Sequence, residues 1–260
     1  MKKKNIAQVN KVIQYLPVIA VLLIMFHITG CSSQRDNRQS EIPSEVIVTN
    51  EGLSGLAITL EFYRGPAHNH PLMAIWVQDT NGTYIETLYV ARSIGTGIFE
   101  HGRESGGRWE SGPVSRPAAL PYWWHKYGYL PTPDKTVPDA ITGPTPKAGF
   151  ILNSVAVETI PSVFDVMLEI NQPWDWNEYW TNDKYPDSKE YKTSSQPAVV
   201  YKARIDLKKG DPEILMQIIG HSHHAGENGD LNENMTTITT ASKIAGSITV
   251  RIGNAGLKDS

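Results

Sequence analysis

Short apolar runs that alternate with polar residues, each bounded by turn formers, constrain the fold of this chain most. They run over Leu56–Tyr63, Leu72–Gln78, Tyr84–Val90, Val163–Ile170, Ala198–Ile205, Ile214–Ile219 and Ser247–Ile252. A period of two is the strand period, because successive side chains leave a strand on opposite faces. Asp79-Thr-Asn-Gly82 joins the second run to the third, and Asn-Gly between two such runs predicts a hairpin. Polar residues at alternate positions predict antiparallel sheets with one solvated face. Helical patterns are confined to one or two turns at Pro121–Tyr129 and at Trp174–Trp180. The class is therefore all-β, an immunoglobulin-like antiparallel β-sandwich with long loop insertions, expected over residues 51–256. Residues 95–149 are too long for a passive connection and are expected to be functional or partly structured, ahead of a strand at Phe150.

The first thirty residues follow different rules. Lys2, Lys3, Lys4 and Lys11 precede an apolar run from Leu16 to Phe26, and Ile28-Thr29-Gly30-Cys31 comes next. A basic start, a short apolar core and small residues before a cleavage point describe a secretory signal. A membrane-spanning helix is disfavoured, since Gln14, Tyr15 and Pro17 interrupt the run near the ~18-residue lower limit. Small residues before a lone Cys resemble the lipobox of bacterial lipoproteins. That resemblance implies acylation of Cys31 and a lipid-anchored protein of the cell envelope, facing the periplasm or the outer membrane. Residues 31–50 then read as a flexible tether, polar from Ser32 to Ser44.

Charge and cysteine content exclude several functions. The chain carries 24 basic and 27 acidic side chains; four lysines lie in residues 1–30, so 20 basic against 27 acidic remain, a net of −7. An acidic, unclustered surface excludes nucleic acid as a partner, and membrane attachment falls to the acyl chains. Cys31 is the only cysteine. Redox or metal chemistry in the folded part needs a bound cofactor or His and carboxylate ligands.

Asp139-Ala-Ile-Thr-Gly-Pro-Thr145 is the sharpest local motif. It resembles the acceptor signature of proteins modified by bacterial flavin transferases. The match puts Asp139 at the leading acid, Thr142-Gly143 at the central pair and Thr145 at the hydroxyl that receives FMN, with Pro144 in place of the usual Ala. Together with Ala74-Ile-Trp-Val-Gln-Asp79 and Gly220-His-Ser-His-His-Ala-Gly226, it resembles the predicted periplasmic family catalogued as domain of unknown function 2271, over residues 55–252. That resemblance implies a periplasmic β-sandwich associated with a flavin transferase and envelope redox partners. The competing reading of the motif is a Gly/Pro-rich turn feeding the Phe150 strand.

Two further residue sets are candidates. Of seven tryptophans only Trp76 lies in a clear strand, and Tyr122-Trp123-Trp124 is the densest part of the remainder. Aromatic rings on loops could shield a flavin, or stack on a glycan or a partner protein, or form a satellite core. His221 and His223 fall on one side of an extended chain, as do His68 and His70, with Glu227, Asp230 and Glu233 beyond the first pair. If the two loops meet, four imidazoles converge as a Zn or Cu site. There is no Gly-x-Ser-x-Gly elbow. Glu100, Glu104 and Glu110 lie in a Gly-rich loop with nothing to set them across a cleft.

Overall fold

The computed structural model describes residues 43–138, 142–143, 146–210 and 213–253, all of them within the unit Ser40–Ser260. Cys31 and most of the tether therefore lie outside the described residues. Among the described residues thirteen strands are defined: β1 Glu45–Thr49, β2 Leu56–Arg64, β3 Leu72–Asp79, β4 Tyr84–Ala91, β5 Ile98–Ser105, β6 Arg108–Pro113, β7 Thr142–Gly143, β8 Phe150–Ala156, β9 Val163–Asn171, β10 Val199–Asp206, β11 Ile214–Leu215, β12 Gln217–His221 and β13 Ala245–Gly253. Short helices are α1 Arg92–Thr96, α2 Pro121–Tyr127 and α3 Lys189–Lys192. Among the described residues no helix is long and apolar enough to cross a membrane.

One sheet has the order β1-β8-β2-β13-β11 and a second the order β12-β10-β9-β3-β4-β7, while β5 and β6 form a separate pair. The pairing is antiparallel except for β1 with β8 and β4 with β7. Phe62, Leu60 and Ile58 of one sheet meet Met73, Ile75, Val77, Phe164, Val166 and Leu168 of the other in the sandwich core. The chain is thus the expected all-β sandwich. Asp79 closes the predicted hairpin: its Oδ1 accepts from the backbone N–H of Asn81 and Thr83, both at 2.8 Å, and Gly82 supplies the left-handed φ of +85°.

Four expectations change. The larger sheet is not solvated on its outer face, because β3 and β9 are buried almost end to end. Trp76, Ala74, Met167 and Val200 form a second core with Ile94, Phe99, Leu120 and Trp123. The insertion is therefore a covering layer, and the continuous apolar run of β3 was the sign of two buried faces. Strand β1 lies inside the stretch assigned to the tether; with Ile47 its only apolar residue turned inward, it is too short to register as an alternating run. The run Ile214–Ile219 is two strands, β11 in one sheet and β12 in the other, split at Met216, whose N–H bonds Ile248 O at 2.8 Å. Trp174–Trp180 is not helical. Asn177 Oδ1 takes the N–H groups of Tyr179 (2.9 Å) and Trp180 (2.7 Å), which fixes a turn instead.

Candidate functional site

The end of β12 opens into a loop closed at its base by a pair of backbone bonds. His221 N–H reaches Asn232 O at 2.9 Å, and Asn232 N–H reaches His221 O at 2.8 Å. Residues 222–231 are thereby held as a compact excursion. Gly226 adopts φ +73°, and a Cβ there would stand 2.2 Å from Pro117 O. At Gly229 a Cβ would stand 2.6 Å from the Cβ of His125 on α2. The covering layer thus braces the loop from below, and His125 Nε2 lies 3.2 Å from Gly226 O.

A second segment faces this loop. Asn177 Nδ2 donates to Thr237 O at 2.9 Å, Trp180 Nε1 to Thr237 Oγ1 at 3.2 Å, and Tyr191 OH to Thr181 O at 2.7 Å. Between the two segments lies a cleft of about 480 Å³, lined by Tyr179, Trp180 and Tyr185 on one side and by residues from His221 to Glu233 on the other. Tyr185 stacks on His224 with ring centres 4.1 Å apart, and His223 follows at 4.4 Å from His224. Lys184 covers the Tyr179 ring, its Nζ 3.2 Å from the centroid. Asn228, Asp230, Asn232 and Glu233 add amide and carboxylate groups to the lining. The lining is mostly polar, with aromatic rings gathered on one side.

Hydrogen bonds fix how the histidines present themselves. His223 Nδ1 accepts from the N–H of Ala225 at 3.2 Å, so its proton sits on Nε2. His221 Nδ1 lies 2.9 Å from Ser222 O and must donate, which leaves its Nε2 an acceptor. Burial, aided by the neighbouring His223, lowers the pKa of His224 to about 4. Near neutrality the ring against Tyr185 is therefore uncharged.

The histidine pairs do not converge. Met73, Ile170, Val199 and His221 stand in one row across β3, β9, β10 and β12. Three strand spacings, about 14 Å, thus separate β3, which His70 closely precedes, from His221. His68 packs against Phe62 at 5.8 Å, and burial with nearby Arg64 lowers its pKa to about 4. His70 Nδ1 lies 3.0 Å from Asn69 Oδ1. Among the described residues no three His, Cys, Asp or Glu side chains are grouped to hold a metal ion.

The Tyr122-Trp123-Trp124 cluster is corrected as well. Trp123 is fully buried in the second core, stacked on Tyr127 at 5.2 Å, with Nε1 donating to Thr87 Oγ1 at 3.0 Å. Tyr122 and Trp124 pack half-buried against the same core. This is the satellite core, not a platform, because α2 turns these rings down onto the sheet. In the flavin motif, Asp139 and Thr145 lie outside the described residues. Thr142 and Gly143 are buried in β7, and a Cβ at Gly143 would stand 2.8 Å from Tyr89 Cε2. Glu100, Glu104 and Glu110 lie on the exposed β5–β6 hairpin.

A buried carboxyl beneath the site went unnoticed in the sequence. Glu169 is fully buried on the outer face of β9, with Oε1 taking the N–H of Tyr122 at 3.2 Å and Oε2 that of Trp123 at 2.7 Å. These are unpaired donors of the first turn of α2, satisfied by a side chain from another element. The Ser222 hydroxyl also faces this carboxyl, yet burial outweighs all three donors and raises its pKa to about 8.

These shifts predict a pH profile. A carboxyl with a raised folded pKa binds its proton more tightly in the folded state, so its contribution to stability falls as pH rises from about 4.5 to about 8. His68 and His224 act oppositely and weaken the fold as pH drops from 6.5 towards about 4. Above pH 6.5 these histidines no longer oppose the effect of Glu169. Calorimetry is expected to show Tm falling between pH 6.5 and 8 in the native chain and a flatter profile in Glu169→Gln; equal slopes would refute the assignment.

No protein-family model, curated protein or solved structure matches the chain. The resemblance to domain of unknown function 2271 therefore rests only on the short motifs that suggested it.

Proposed function

We propose that the protein is a lipid-anchored binding module of the cell envelope that holds a glycan in the cleft between residues 179–185 and 221–233. One observation carries this reading: Tyr179, Trp180 and Tyr185 line the same cleft as Asn228, Asp230, Asn232 and Glu233. A sugar ring presents a C–H face that stacks on an aromatic ring, and hydroxyls at its edge that pair with amides and carboxylates. Uncharged His224 extends the apolar face, while His223 Nε2–H adds a donor. The carboxylates disfavour an anionic ligand. The basic, apolar N-terminal segment and Cys31 support the lipid anchor.

Tyr179 separates binding from folding, being half exposed at 50 %. On a glycan array Tyr179→Ala is expected to lose about tenfold or more of the native signal with Tm unchanged, as truncation of an aromatic contact residue does. A native chain that binds no glycan, or a variant that binds equally well, would remove the reading.

A further inference from the structure

The β5–β6 hairpin stands apart from both sheets. Its turn, Gly106-Gly107, has φ of +59° and +77°, the left-handed pair that suits a tight hairpin. Only Phe99 and Gly112 are buried along it, and Trp109 near its tip is 63 % exposed. An isolated two-stranded ribbon is marginal in water, and a free edge is a template for another strand.

The two edges differ. Register between β5 and β6 shifts between Phe99 and Arg103, and such a disruption spoils β5 as a pairing edge. In β6 the order Arg108-Trp109-Glu110 is complementary in charge to a second copy of itself running antiparallel. Centred on Trp109, a second copy sets Arg108 opposite Glu110, Trp109 opposite Trp109, and Glu110 opposite Arg108. Opposed residues point to one face in an antiparallel pair, so each contact forms side by side. Moving the centre to Arg108 or to Glu110 sets like charges against each other.

The rows continue into the hairpin. Arg103 pairs with Glu110 across β5–β6 at 3.1 Å, and Glu104 stands opposite Trp109. A symmetric join would extend these to Arg103–Glu110–Arg108 on one face and Glu104–Trp109–Trp109–Glu104 on the other.

We propose that the β6 edge is a self-association surface, on which a second copy of this chain pairs antiparallel about Trp109 to form a four-stranded sheet with twofold symmetry. The inference is independent of the glycan cleft. Six residues per copy make a small join of the weak, transient class, so association depends on concentration.

Sedimentation velocity of the full chain over a concentration series tests it. The native chain is expected to move from monomer to dimer as concentration rises. Arg108→Glu and Glu110→Arg, each alone, are expected to weaken association about tenfold or more, since two like-charge contacts then oppose each other. An equimolar mixture of the two variants is expected to recover it, each charge meeting its opposite. A native chain monomeric throughout, an Arg108→Glu chain that associates like the native one, or a mixture no tighter than its parts would overturn the proposal.

Discussion

Trp123→Ala is expected to lower folding stability by about 3–5 kcal/mol, the range for removing a large buried aromatic. The indole is fully buried between α2 and the outer face of the six-stranded sheet, stacked on Tyr127 and bonded to Thr87. Truncation leaves a cavity too large for the seven-residue helix to close, and it orphans the Thr87 hydroxyl on that side. Domains of this size have total stabilities of about 5–15 kcal/mol, so the loss is a large share. Urea unfolding, followed by far-ultraviolet circular dichroism, measures it. A loss below about 1 kcal/mol would return Trp123 to the role of exposed platform that its neighbours in sequence first suggested.

Glu169→Ala is expected to cost about 3 kcal/mol or more by a different route. The carboxyl takes the backbone N–H groups of Tyr122 and Trp123, and among the described residues no other acceptor is bonded to them. Each buried donor left unpaired costs about 1–3 kcal/mol. Trp123→Ala removes packing and Glu169→Ala removes hydrogen bonds, yet both act on the seating of α2. Because the two sites share that helix, their effects should not add in the double variant. Additive losses in urea unfolding would show that α2 is seated by something else.

Glu169 also shows why part of the site was hidden. Its strand was legible: Val163–Ile170 alternates, and Phe164, Val166, Leu168 and Ile170 face the core. What the pattern could not say was that Asp165, Glu169 and Asn171 would be buried too. Polar residues on the second face read as solvated until a covering layer is known, and that layer comes from an insertion of weak periodicity. Asp165 is matched by Arg204, directly across on β10. Asn171 Nδ2 bonds Ser194 Oγ and Gln196 O, both at 3.0 Å. None of these partners is close in sequence.

The cleft was half legible. His221, His223 and Trp180 stood out as histidines and aromatics outside strands, but their meeting depends on Asn177 tying one segment to Thr237. The missed members, Tyr179, Tyr185, Asn228 and Asn232, had only a local signal. For Asn228 and Asn232 it lay in the asparagines at 228, 232 and 234, whose side chains each take the backbone N–H two residues on. The β5–β6 hairpin was read as loop because its residues are polar on both faces, so alternation says nothing there.

The reading that the cleft holds a sugar is tested most directly by nuclear magnetic resonance of the full chain carrying isotope-labelled tryptophan. Cello-, manno- and xylo-oligosaccharides would be titrated in turn. The Trp180 indole N–H is expected to shift saturably with at least one of them, while those of Trp76 and Trp123, buried in the second core, stay in place. A Trp180 signal unmoved by every sugar, or shifts confined to Trp109 and Trp174, would contradict it.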